Sequence, residues 1–510
     1  MLKTEKNIKV NVADMANKSR TFKLNRIKTI ALIVTAIGLN GCSMWPEYLR
    51  PQSTLPAEYA RADAANVDAG NTAIANDWWT LYQDPILDSL VKEALVNNTD
   101  IKLAVARVEE ADGAMREVGA ALFPQINLSG NGTRSRVTEA GAFPVFAANP
   151  RENYNVQLGT SFELDFWGKL RQAKTAARAQ ALSTRYAKET VTLSLTTLVT
   201  SNYLVLRSID SQLTVTRESL KSREASLGLT KRRAEGGVAS ALDVHQAEVS
   251  MANLTAQLAE LERQRAITGH QLAILTGQLD LSALEAKLGV AELSTLPIPP
   301  TPPAGLPSSL LTARPDVRQA EETMIAANAN IAVAKAALYP TISLTGTFGG
   351  ESLELKDVLT SAARIWSAGL SLNLPIFDSG RLNSRVDQAT ARQKQALASY
   401  EAALRSAFKE VNDSLVNVRQ QKAREDALNT AQQAAQKALT ISENRYQSGY
   451  SAYLDVLDAQ RVHNDASLAF VQSRQARLVA TAELFKALGG GWQDGFVAQS
   501  EADKLAKKSK

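Results

Sequence analysis

The sequence predicts a mainly α-helical chain with short membrane-crossing β-strands, built from one unit that occurs twice. Three observations predict this. Two tracts of nearly seventy residues are free of proline, four segments of about ten residues alternate apolar and polar side chains, and local patterns recur at a spacing of 212 to 216 residues.

The chain opens with a basic stretch, Lys18 to Lys28, then the apolar run Ile30 to Leu39, then Asn40-Gly41-Cys42. A basic region, a short apolar region and small residues before a break describe a secretory signal peptide over 1–41. The run is too short for a transmembrane helix, which needs ~20 apolar residues. Leu39-Asn40-Gly41-Cys42 resembles the bacterial lipoprotein box, and Cys42 is the only cysteine of the 510 residues. Cys42 is therefore the expected lipidation site, and Ser43 after it matches outer-membrane sorting. Met15 is a second candidate initiator.

Charge follows from this leader. The net charge of +5 suggests nucleic-acid binding, but residues 1–41 carry eight Lys/Arg and only two acids. The remainder holds 49 bases against 50 acids, so no nucleic-acid partner is expected. One Cys and three widely spaced histidines leave no metal-ligand spacing, and neither a catalytic constellation nor a phosphate loop is present. The expectation is a protein that is not an enzyme and has no cofactor and no metal.

None of the sixteen prolines lies in 151–296 or 376–510. Proline inside a helix costs ~3 kcal/mol or more, so these tracts can hold uninterrupted helices. Gly168 to Gly236 is broken only by Gly228, and Gly380 to Gly449 by no glycine or proline. Each spans ~100 Å at 1.5 Å per residue, which requires side-by-side coiled-coil packing. Six prolines within 297–307 mark a connector between two halves.

The halves are copies. Gly119-Ala-Ala-Leu-Phe-Pro124 matches Lys335-Ala-Ala-Leu-Tyr-Pro340 at an offset of 216. Gly168 aligns with Gly380, and Gly237-Val-Ala-Ser-Ala-Leu-Asp-Val244 with Gly449-Tyr-Ser-Ala-Tyr-Leu-Asp-Val456, at 212. The unit is a helix, a strand pair, a very long helix and a shorter helix. The strands are expected at about 124–134, 153–166, 340–350 and 366–377. In the second, Tyr154, Val156, Leu158, Phe162, Leu164 and Phe166 alternate with Asn155, Gln157, Ser161, Glu163 and Asp165. A soluble sheet face alternates equally well, but the secretory leader and the aromatic strand ends favour a membrane barrel. Four strands cannot close a barrel, and open edges are not tolerated in lipid, so several chains must each donate four. A trimer would supply twelve.

Several longer motifs point one way. They are Asp77-Trp-Trp-Thr-Leu-Tyr-Gln-Asp-Pro-Ile-Leu87, Gly305-Leu-Pro-Ser-Ser-Leu-Leu-Thr-Ala-Arg-Pro-Asp-Val317, Leu374-Pro-Ile-Phe-Asp-Ser-Gly-Arg-Leu382, Arg445-Tyr-Gln-Ser-Gly449, Leu454-Asp-Val-Leu-Asp-Ala-Gln460 and Leu488-Gly-Gly-Gly-Trp492. Over 75–495 the chain resembles the TolC-like outer-membrane efflux proteins, in the lipidated NodT-type subgroup that serves RND tripartite pumps. The resemblance implies a homotrimer with a twelve-strand β-barrel in the outer membrane, standing on a periplasmic α-helical barrel. The expected divisions are a signal peptide 1–41, a lipidated equatorial segment 42–80, a first repeat 81–277, a Pro-rich equatorial linker 278–312, a second repeat 313–492 and a tail 493–510. The implied partners are outer-membrane lipid, a periplasmic adaptor (membrane fusion) protein and an inner-membrane RND pump.

The resemblance places Gly236, Gly237, Ser448 and Gly449 at turns of the periplasmic tip. It implies that rings of Leu454, Asp455 and Asp458 close the resting tunnel, and that Tyr446 and Asp243 form a latch. The plain reading of Asp455 and Asp458 is a solvated helix face or an N-terminal cap. Asp243 aligns with Asp455, but Gln246 stands where the second acid would be, and Ser451 replaces a basic latch residue. The implied function is a passive exit duct for drugs or other toxic solutes. Alternatives are a metal-efflux or type I secretion duct, or a structural coiled-coil surface lipoprotein.

Overall fold

The computed structural model describes residues 48–51, 56, 74–141, 148–302 and 314–493. The leader, Cys42 and the C-terminal tail lie outside the described residues.

A short 3₁₀ turn, Trp78–Tyr82, leads into α1, Pro85–Asn97, and α2, Thr99–Ala120. Asp84 caps α1: its Oδ1 accepts the Ile86 and Leu87 amides, and Pro85 occupies the first turn, where no amide is needed. Then come β1, Gln125–Ser135, and β2, Arg151–Leu164. The long helix α3 runs Lys169–Glu235, and α4 runs Ala241–Thr276. A small helix α5, Leu281–Leu288, precedes the connector. The second copy repeats the order as α6, Pro315–Ala336, β3, Thr341–Ser352, β4, Arg364–Asn373, α7, Arg381–Gln447, and α8, Tyr453–Ala487. Corresponding helices match in length: α2 and α6 have 22 residues, α3 and α7 have 67, and α4 and α8 have 36 and 35.

Both long helices begin at a left-handed glycine, Gly168 at φ 74 and Gly380 at φ 81. An acid from the preceding turn covers the free amides of each. Asp165 accepts the Leu170 and Arg171 amides, and Asp378 accepts those of Gly380 and Leu382. At ~1.5 Å per residue each long helix is ~100 Å tall. It folds back at its far end into α4 or α8, and α3 packs against α8 to join the two hairpins.

The four strands form one antiparallel sheet in the order β1-β2-β3-β4. The register aligns one face across the whole sheet. Leu128 pairs with Leu158, Leu158 with Phe348, and Phe348 with Trp366. A second row runs Phe162, Leu344, Leu370, and a third Leu164, Ile342, Leu372. The opposite face holds Gln157, Ser161, Thr345, Thr347, Ser367 and Ser371. Among the described residues no layer covers the apolar face: Leu128 is 71% exposed, Phe348 56% and Trp366 73%. A soluble sandwich would bury that face under a second sheet. β4 stops at Asn373 rather than near 377, because Pro375 has no amide to donate to a ladder.

The core lies at mid-height. Trp78, Trp79, Tyr82, Leu87 and Leu90 pack with Tyr203, Leu206, Leu272, Leu284 and Phe485, and Trp78 stacks on Phe485 at 5.2 Å. The Gly489-Gly490-Gly491 turn wraps this core with φ of 94, 60 and 75. A Cβ on Gly491 would meet the Ile74 carbonyl oxygen at 2.3 Å, so only glycine passes there. Arginines from three helices grip the segment after α5. Arg207 donates to the Leu288 carbonyl at 2.7 Å, Arg265 to Gly289 at 2.9 Å, and Arg474 to Leu296 at 2.9 Å. Thus α3, α4 and α8 are tied at one level, above the contacts that join the hairpins at the tip.

Candidate functional site

The helical hairpins end in two turns of the same design. After α3, Gly237 at φ 71 lets the Val238 amide reach back to the Arg233 carbonyl at 2.8 Å. After α7, Gly449 at φ 78 lets the Tyr450 amide reach Arg445 at 2.8 Å. Both are Schellman closures, which need a residue that tolerates positive φ. Gly236 and Ser448 keep φ near −80, so glycine is not required at either.

A small apolar core sits just inside these turns: Leu227, Ala247, Tyr446, Tyr453 and Val456. The Tyr446 and Tyr453 rings lie 5.5 Å apart. Arg233 crosses from the first hairpin to the second. Its guanidinium lies 4.5 Å over the Tyr446 ring and donates to the Tyr446 and Gln447 carbonyls, both at 3.1 Å. Those carbonyls lie at the C-terminus of α7, the negative end of its dipole, and that of Tyr446 also accepts the Gly449 amide at 3.0 Å. A second tie lies about two turns deeper. The Gln460 amide nitrogen donates to Ser226 at 3.0 Å and to Ser222 at 3.3 Å, joining α8 to α3.

The expected latch pair has other neighbours. The Asp243 carboxylate accepts the Ser240 amide at 3.0 Å and the Ser240 hydroxyl at 2.9 Å, completing a capping box at the start of α4. Among the described residues, no hydrogen bond joins the Tyr446 hydroxyl to Asp243. Burial pushes the Tyr453 phenol above its ordinary value, and the nearby Tyr446 and Asp243 act the same way while Arg223 opposes them.

The expected gate residues share the first turns of α8. Leu454 is 58% exposed, and Asp455 lies in the first helical turn, where the dipole favours an acid. Asp458 accepts from Arg461 at 2.7 Å, and Arg461 also reaches Asp465 at 3.4 Å. Half of the acidic pair is thus neutralised within its own helix. Arg233, Gln460 and Arg461 are the tip residues that sequence reasoning missed. Arg232-Arg233 in the last turn of a helix was a visible signal, but its target is 213 residues away. Among the described residues no cluster of three or more His, Cys, Asp or Glu could hold a metal, and no helix is long and apolar enough to cross a membrane.

The motifs that carried the resemblance separate by place. Asp77-Trp-Trp, Arg314-Pro-Asp and Leu488-Gly-Gly-Gly-Trp492 meet near the mid-height core. There Arg314 donates to the Ala487 carbonyl at 3.0 Å, and Trp492 stands edge-on to Tyr186 at 5.6 Å. Arg445-Tyr-Gln-Ser-Gly449 and Leu454 to Gln460 build the tip.

Comparison with known proteins agrees with this architecture. The family model described as outer membrane efflux protein matches twice, over residues 90–278 and 306–490. The chain is 33% identical over 471 residues to the probable efflux pump outer membrane protein TtgC of Pseudomonas putida, covering 91% of this chain and 96% of the relative. It is 32% identical over 463 residues to the cation efflux system protein CusC of Escherichia coli O6:H1, covering 90% and 97%. A crystal structure of a membrane protein from Pseudomonas aeruginosa superposes with a TM-score of 0.81 at 32% identity, covering 89% of this chain and 99% of that one. With the duplicated unit, the uncovered apolar sheet face and the matches over both repeats, the chain belongs to the outer membrane efflux protein family.

Proposed function

We propose that the protein is the passive outer-membrane exit duct of a tripartite efflux system, assembled as a homotrimer. One observation supports this above the rest: a four-stranded sheet with an in-register, uncovered apolar face and two unpaired edges continues directly into hairpins ~100 Å long. Strand edges are not tolerated in lipid, so β1 of one protomer pairs with β4 of the next and closes a twelve-strand barrel. Acylated Cys42 adds a lipid anchor, weaker than the barrel itself. A periplasmic adaptor protein and an inner-membrane RND pump complete the path, and the chain conducts rather than catalyses.

The resting tip is held by contacts between its two hairpins. Arg233 gripping the end of α7 and Gln460 bridging to α3 supply that hold, while Leu454 and Asp455 line the constriction. Tyr446 serves as the surface on which Arg233 rests. An adaptor opens the tip by binding the spread hairpins better than the closed ones, since a ligand shifts an equilibrium only by its differential affinity. The cargo stays open. One relative's name specifies cations and another's an efflux pump without a cargo, which fits selection by the inner-membrane partner.

Purified protein in planar bilayers should insert as a trimer with small resting conductance that rises when the tip ties are cut. A stable monomer by native mass measurement, or insertion without conductance in every tip variant, would sink the reading and favour a structural surface lipoprotein.

A further inference from the structure

Arg223, on α3 just above the tip, is 8% exposed and makes no hydrogen bond or ion pair among the described residues. Its Nε is buried without a hydrogen-bond partner, and burial lowers the guanidinium pKa while Tyr453 and Asp465, acting through space, oppose that shift. Two further buried side chains beside it are in the same position. Ser250 of α4 is 7% exposed and Asn464 of α8 is 4% exposed, and the Ser250 Oγ and Asn464 Oδ1 have no partner. All three line one cavity of ≈ 630 Å³ between α4 and α8. Its walls are largely apolar, from Leu242, Val249, Leu254, Leu454 and Leu457. Arg461 engages the acids at its rim, Asp458 and Asp465, at 2.7 and 3.4 Å, and Asp465 acts on Arg223 through space without forming an ion pair with it.

We propose that this cavity binds an amphiphilic organic anion, a carboxylate with an apolar body, whose charged end meets Arg223 and whose body lies between α4 and α8. The volume falls in the ~300–1,000 Å³ range of small-molecule pockets, which are mostly apolar with a few placed polar groups. The carboxylate accepts from the Arg223 fork, and Ser250 donates to it or to the Asn464 Oδ1. An occupant in this position joins the first hairpin to the second, so it biases the tip toward the arrangement in which α4 and α8 are close. The site stands on its own geometry and does not require the Leu454 and Asp455 constriction.

The test uses the full-length trimer in nanodiscs of neutral lipid, with dansyl-undecanoate as the fluorescent probe and protein-free discs as the blank. The acid should bind saturably, and its methyl ester on the order of tenfold or more weakly, since the ester keeps the apolar body and loses the charge. Arg223→Gln should weaken the acid by the same factor and leave the ester unchanged. Equal binding of acid and ester by the unmutated protein overturns the proposal without any variant. So does an Arg223→Gln trimer that binds the acid undiminished. Absence of saturable binding above empty discs also overturns it, and a disulfide between protomers in a Val249→Cys variant then assigns the groove to a second copy of the chain.

Discussion

Replacing Arg233 with methionine keeps the apolar stem and removes the grip on α7. Two charge-assisted hydrogen bonds are lost, each at 3.1 Å, together with a guanidinium 4.5 Å above the Tyr446 ring. Such hydrogen bonds contribute about 1.5–3 kcal/mol each when well shielded, and an exposed cation–π contact about 0.5–1 kcal/mol. Arg233 is half-buried, and releasing its side chain returns rotamer entropy, so the net tie is worth about 2 kcal/mol per protomer. That is roughly thirtyfold in the ratio of open to closed tips for each protomer. If all three must release together, the factor exceeds roughly ten-thousandfold. The assay is single-channel open probability in planar bilayers, with native mass measurement confirming the trimer. Arg233→Met should raise open probability strongly, and Arg233→Lys partly, because an ammonium is a point donor rather than a fork. Tyr446→Phe should change little, since the ring under Arg233 is kept and only a hydroxyl is lost. An intact Arg233→Met trimer with unaltered open probability would refute the reasoning. So would Tyr446→Phe opening the tip as far as Arg233→Met does, which would restore the hydroxyl as the tie.

Four further expectations follow from named contacts. Leu158→Arg or Phe348→Arg puts a charge on the apolar sheet face, at a cost of up to ~2–4 kcal/mol in lipid, and should reduce the trimer resolved by semi-native electrophoresis, whereas Thr345→Arg on the opposite face should not. Gly237→Ala and Gly449→Ala each force a side chain to φ above 70 and should cost about 1 kcal/mol in thermal denaturation, whereas Ser448→Ala at φ −81 should be neutral. Asp455→Ala should weaken divalent-cation block from the tip side more than Asp458→Ala, because Asp458 is already paired with Arg461, and equal effects would show that this pair opens in the trimer. Cys42→Ser should abolish incorporation of labelled palmitate yet leave the protein in the membrane fraction, since a closed barrel holds more firmly than an acyl chain.

The architecture was legible in the chain because it rests on periodic and subtractive signals. Absence of proline over 151–296 and 376–510 told where helices could run, and α3 and α7 lie within those tracts at 67 residues each. The duplication told that whatever one half built, the other would repeat. Period-two alternation told which strand residues share a face, and the register from Leu128 to Trp366 keeps that face continuous. These signals are local, so one sequence carries them. The tip was legible only in part. Gly237 and Gly449 announced the turns because positive φ leaves few alternatives, but tertiary packing decided which side chains cross between the hairpins. Arg233 meets α7 only because the two hairpins end at the same height, and Asp243 turns to Ser240 because a capping box three residues away is closer than the other hairpin. Arg223 carried no sequence signal at all. A charged residue on a helix reads as solvated until packing encloses it, and only the meeting of α3, α4 and α8 shows an arginine whose buried Nε makes no hydrogen bond.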